Sequence, residues 1–199
     1  MIYDLDKTLS ALLLRELREE FVDQVQISFA APDDAFPPQS VTLPAIDLFL
    51  YDLRENLELR ESEAWVERAG DATALSRPAP VRVDASYLIT AWPRSTVTDP
   101  AKDEHHLLGE VMRALLRHRA LPQDVLQGEL LGQALPPPVA MLQPGRLQSL
   151  GEFWQALGGK PKAALNYTVT LALEAGPARP VKLVTDKRIR VGLQPGGRP

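Results

Sequence analysis

The sequence predicts an α/β protein of the α+β kind, a twisted mixed or antiparallel sheet flanked by two main helices and carrying a protruding β-hairpin. Three observations carry this. Apolar residues recur at helical spacing from Leu5 to Phe21 and again from Leu107 to Leu116. Several segments between and after them alternate polar with apolar residues, as half-buried strands do. The 18 prolines gather in Ala31 to Pro44, Arg77 to Pro80, Pro136 to Pro138 and Ala175 to Pro199, where they mark connectors and a tail.

Leu5, Leu9, Leu12, Leu13 and Leu17 describe one face of an N-terminal helix, with Asp4 placed to cap its first turn. Val25 to Phe29 alternates as a short strand. Ala45 to Leu53 is apolar on both faces, as a central strand is. From Arg54 charge takes over, so this strand is expected to run beyond the sheet and return through a turn between Gly70 and Pro80. Val81, Val83, Ala85, Tyr87, Ile89 and Ala91 form the return strand, and residues 54–80 the hairpin arm.

Asp99-Pro100 opens a second helix: the aspartate caps free amides, the proline is pre-set for the first helical position, and Arg113, Arg117 and His118 lie toward the negative end of the helix dipole. Val139 to Leu142 reads as a short strand. Ser149-Leu150-Gly151-Glu152 is a capping box for a short helix that stops at Gly158-Gly159. Leu165 to Leu173 alternates most regularly of all, and Val181 to Val191 forms a last, more basic strand.

With 199 residues the chain suits one domain over 1–191, followed by a flexible tail over 192–199. Apolar residues make up 45% and charged residues 24%, which excludes wholesale disorder. There is no cysteine, hence no disulfide framework. A net charge of -4 and a pI near 5.4 argue against nucleic acid as a partner. The N-terminus is acidic where a signal peptide is basic, and no apolar run approaches a membrane span, so the expectation is a cytoplasmic protein with no membrane partner.

Motifs for catalysis fail one by one, and no cofactor is expected. His105 and His106 are adjacent, and so point about 100° apart around a helix, where a shared metal needs i, i+3 or i+4 spacing. The glycines form no phosphate loop: Gly159-Lys160 is followed by Pro161. Ser149 lacks the flanking glycines of a nucleophile elbow. Trp92 and Trp154 read as core anchors.

The surface residues are more informative. Glu55, Glu58, Arg60, Glu61, Glu63, Glu67 and Arg68 belong to the expected arm, together with Trp65, which reads equally as an interface anchor or a local packing residue. Lys187, Arg188 and Arg190 read either as a charged edge that prevents wrong pairing or as a dock for the acidic arm of a neighbouring copy. These eleven residues are the candidate interface.

One resemblance covers Leu5 to Val191. The helix, strand and charged extension after Tyr51-Asp52-Leu53-Arg54-Glu55-Asn56, the return strand Tyr87-Leu88-Ile89-Thr90-Ala91-Trp92, and Glu104-His105-His106-Leu107-Leu108-Gly109 follow in a telling order. Trp154-Gln155-Ala156-Leu157-Gly158 and Leu165-Asn166-Tyr167 complete it. The sequence is similar to the N-terminal domain of cap proteins from contractile injection systems, the Photorhabdus virulence cassette and antifeeding-prophage type. That resemblance implies a tail-terminator-like fold and a hexameric ring of copies on the distal end of the inner tube and sheath. It implies the tube and sheath proteins as partners and an arrest of polymerisation as the function. Two other readings stay open: a tube, sheath-initiator or baseplate adaptor subunit, and an enzyme whose site assembles from scattered residues.

Overall fold

A computed structural model of the chain describes residues 1–18, 21, 24–61, 63–68, 73–133, 135–143 and 149–182. In chain order its elements are α1 (Ile2–Glu16), β1 (Gln26–Ser28), β2 (Ala45–Glu55), β3 (Trp65–Arg68), β4 (Thr73–Arg77), β5 (Val81–Trp92), α2 (Pro100–Leu116), β6 (Val139–Met141), α3 (Leu150–Ala156), β7 (Leu165–Leu173) and β8 (Arg179–Lys182). Short 3-10 turns at Gln123–Val125 and Gly128–Gly132 follow α2. The chain divides into two compact units, Met1–Leu59 with Arg82–Leu173, and Arg60–Val81 with Glu174–Pro199.

The larger unit is built on a mixed five-stranded sheet in the order β1-β2-β5-β7-β6. β1 runs parallel to β2, and β2 antiparallel to β5. β6 is antiparallel to β7. Because alternate residues of a strand face opposite ways, one face of this sheet collects Ile46 and Leu48, Tyr87 and Ile89, and Tyr167, Val169 and Leu171. Against them lie Leu5, Leu9, Leu12 and Leu13 of α1 and Leu107, Leu108, Val111 and Leu115 of α2. Each such leucine contributes about 1.5–3 kcal/mol by leaving water.

The local signals account for the helix ends. Asp99 caps α2 by accepting a hydrogen bond from the Lys102 amide at 3.2 Å, with Pro100 in the first position. Ser149 caps α3 by accepting from the Glu152 amide at 3.2 Å. That helix stops because Gly158 takes φ +68°, a left-handed conformation that costs glycine nothing, and its amide and that of Gly159 close back onto Gln155 and Trp154. α1 differs from expectation at its start. It begins at Ile2, so Asp4 lies inside the first turn, where it accepts from the Glu129 amide at 3.4 Å and pairs with the Met1 ammonium.

A partly buried hydrogen bond ties α1 to the sheet. The Tyr87 hydroxyl donates to Asp6 Oδ1 at 2.8 Å. Burial pushes the Asp6 pKa up, with the Tyr87 bond opposing it. Burial, reinforced by Asp6, likewise raises that of Tyr87. Tyr87→Phe leaves a half-buried carboxyl without its donor, and the expected loss is about 1–2 kcal/mol, read from the urea midpoint at neutral pH.

The opposite face of the sheet carries polar and aromatic residues, and α3 covers part of it. Phe153 packs against Phe49 and Tyr51 with ring centroids 6.2 and 6.3 Å apart. Trp154 is 2% exposed. Trp92 also belongs to this second face rather than to the main core. It stacks on Phe36 at 4.2 Å, donates to Thr90 Oγ1 at 2.9 Å, and carries the Lys162 ammonium 4.5 Å from its ring centroid. Lys162 is held in turn by an ion pair with Glu104. With both faces covered, β5 is buried without a break from Asp84 to Ala91.

Residues 54–80, expected to form one long hairpin, are divided in the structure. Arg54 and Glu55 complete β2, and residues 56–59 turn the chain. β3 and β4 then join β8 in a separate three-stranded sheet, ordered β3-β4-β8. Local charge and turn patterns do not reveal this partner, because β8 lies about a hundred residues further along the chain.

Candidate assembly surface

The turn that ends β2 is built around Asn56. Its side-chain oxygen accepts from the Glu58 and Leu59 amides, both at 3.1 Å, an Asx turn that fixes the backbone. Its side-chain nitrogen donates to both oxygens of Asp84, at 3.1 and 3.2 Å, and Asp84 also accepts from Thr170 Oγ1 at 2.7 Å. Asp84 is 2% exposed, so a buried polar network spanning β2, β5 and β7 holds this turn. The turn leaves Leu57 and Leu59 exposed beside Glu58. Sequence reasoning missed Asn56 and Asp84, although an asparagine ending a strand is a recognisable turn signal.

In the smaller unit β3 and β4 pair antiparallel, with Trp65 opposite Arg77 and Glu67 opposite Leu75. β4 pairs antiparallel with β8 on its other side, so that Ser76 faces Arg179 and Thr73 faces Lys182. Every residue of β3 is exposed. Trp65 is 49% and Val66 57% exposed, and as neighbours in a strand they point to opposite faces. The Trp65 indole donates to Glu61 Oε2 at 3.1 Å, which fixes the ring without burying it. A cleft of about 480 Å³ lies alongside, lined by Glu61, Ala64, Ser76, Pro78, Arg179 and Val181 among others.

The candidate residues therefore sort by unit. Glu55 is half-buried at the end of β2 and Glu58 lies in the Asn56 turn. Arg60, Glu61, Glu63, Trp65, Glu67 and Arg68 are all exposed in the smaller unit. Lys187, Arg188 and Arg190 lie outside the described residues. Among the described residues, this sheet places Arg68 in β3, Arg77 in β4, and Arg179 and Lys182 in β8. Of the histidines, His105 and His106 are exposed on α2, His106 edge-on to Phe21 at 5.4 Å, while His118 lies 3.1 Å from Glu16. The described residues hold no group of three or more His, Cys, Asp or Glu placed to bind a metal ion, and none of their helices is long and apolar enough to cross a membrane.

The sequence model of the Pvc16 N-terminal domain family matches residues 4–185. The chain belongs to the Pvc16 N-terminal domain family. Two solved structures are similar to this family member along almost its whole length. One is the sheath/tube terminator of an extracellular contractile injection system, PVC, in the extended state, with 27% identity and a TM-score of 0.64 over 96% of this chain. The other is the tube-terminating cap of the anti-feeding prophage, with 26% identity and a TM-score of 0.61 over 97%. This family member spans 64% and 62% of the lengths of those two chains. A search of the curated proteins finds no match. The mixed α/β fold is thus that of tail terminators, one relative being a sheath/tube terminator and the other a tube-terminating cap.

Proposed function

We propose that the chain is the structural cap subunit of a phage-tail-like contractile injection particle. Six copies close into a ring on the end of the inner tube and sheath distal to the baseplate and stop their polymerisation. The observation that carries this reading is the similarity of 96% and 97% of the chain to a sheath/tube terminator and a tube-terminating cap. Physical reasoning supports it. The last layer of a stacked tube presents an unsatisfied annular surface, and a terminator must match that surface on one side and offer none like it on the other. Exposed strand edges and a rigid turn bearing exposed leucines suit such docking, and catalysis has no use for them.

On this reading the partners are further copies of the chain, the inner tube protein and the sheath protein, with no nucleic acid, membrane or cofactor involved. Assembly takes place in the cytoplasm, and the particle is then released or kept in the cell. Electron microscopy of particles made with and without the protein tests the reading. The expected result is loss of density at the distal end and tubes that overrun their uniform length. Particles with unchanged distal ends overturn it, and density lost at the baseplate instead favours an adaptor role.

A further inference from the structure

We propose that the three-stranded sheet of the smaller unit is continued by a second copy of this chain, whose basic stretch Lys187 to Val191 adds along the outer edge of β3. The inference rests on the reading of the protein as a ring-forming subunit and deepens it by naming the contact between copies. Among the described residues β3 pairs with β4 alone, so its other edge offers backbone donors and acceptors, a template for an incoming strand. Its exposure on both faces at Trp65 and Val66 gives an added strand apolar side chains to cover.

Charge selects the occupant. Residues 61–68 hold three glutamates, Glu61, Glu63 and Glu67, against one cation, Arg68. Residues 187–191 hold Lys187, Arg188 and Arg190 and no acid. In that stretch Ile189 and Val191 alternate with Arg188 and Arg190, so an added strand carries its two apolar residues on one face. The other edge of the sheet is the poorer template. β8 contains Pro180, and a proline in a strand is found with its missing N–H on the unpaired side, which removes a donor from that edge. Edge and basic stretch are different segments of one chain. Copies joined through them run head to tail, the arrangement that closes into a ring.

Reciprocal charge reversal on the full chain tests this. One variant carries Glu61→Lys, Glu63→Lys and Glu67→Lys, and the other Lys187→Glu, Arg188→Glu and Arg190→Glu. Native mass spectrometry is expected to show each variant alone dissociated at concentrations where the unaltered chain assembles, with self-association weakened about tenfold or more. An equimolar mixture is expected to reassemble, because the basic edge of one variant accepts the acidic stretch of the other and the reverse pairing also holds. A mixture that stays monomeric overturns the proposal, and a pairing made within one chain gives that result. Variants that assemble alone like the parent overturn it too, as does a parent chain that stays monomeric at high concentration. If particle ends still lose their cap density without the protein, the cap reading survives any of these failures.

Discussion

Trp154→Ala is expected to cost about 3–5 kcal/mol of folding free energy, the range for emptying a large aromatic site. The indole is 2% exposed and lies edge-on to Phe153 at 5.7 Å. The chain beyond α3 closes over it. A methyl placed on Gly159 would meet the indole at 3.2 Å and the Pro32 carbonyl oxygen at 3.0 Å, so the Gly158-Gly159 turn packs directly against the ring. Since α3 has only seven residues, it is too short to stand without the sheet beneath it. Loss of the anchor should therefore release the helix as well as open a cavity. For a chain of this size the change corresponds to a fall in Tm of about 6–20 °C. Thermal unfolding followed by circular dichroism checks it. A loss below about 1 kcal/mol would mean that α3 contributes little to this face.

The second large effect is a dependence on pH that runs against the usual direction. Asp47 is fully buried on β2, opposite Ser28 of β1 and Thr90 of β5, and neither carboxyl oxygen meets a donor in good geometry. Burial pushes its pKa up to about 7, and the nearby Ser28 hydroxyl and Ala30 amide pull the other way by less. Between the ordinary carboxylate value near 4 and 7, the folded chain holds a proton that the unfolded chain has released. Stability must then fall as the pH rises through that window and level off above it, by an amount on the order of 2–4 kcal/mol.

Asp4 and Glu16 act in the opposite sense. The Met1 ammonium holds Asp4 below its usual pKa. Burial raises Glu16, but its bonds to Arg117, Arg15 and His118 outweigh that and leave it lowered. Their contributions are present above about pH 4 and are lost as the pH falls through the lowered values. The two limbs place maximum stability at about pH 4. Asp47→Asn should match the parent there and exceed it at pH 8, which urea titrations at the two pH values will show. Profiles that stay parallel would exclude Asp47 as the source.

Particular residues show how far the sequence could be read. Asp99-Pro100 predicted the start of α2, Ser149 to Glu152 the start of α3, and Gly158-Gly159 its end, because each signal acts within one helical turn of its own position. The alternation through Leu165 to Leu173 predicted β7 and the face it buries. Asp4 was misplaced as a cap because its partners, the Met1 ammonium and the Glu129 amide, include a group 125 residues away. Asp47 gives no signal of its own within the expected central strand Ala45 to Leu53. Its full burial arises only where the second face of the sheet is covered.

The sequence by itself determined the α/β class, the existence and ends of the best-marked helices, the lack of linear catalytic motifs and the likeness to terminator domains. These properties rest on periodicity, on capping and on the order of short motifs, all of which are local. The tertiary structure alone decided that residues 54–80 split between two units and that β3 and β4 take β8 as their partner. It also decided that Asn56, Asp84 and Thr170 join across three strands to hold the turn bearing Leu57 and Leu59. Strand pairing and buried polar networks depend on which distant segments meet, and the free energy of those meetings comes from surfaces that exist only once the chain has folded.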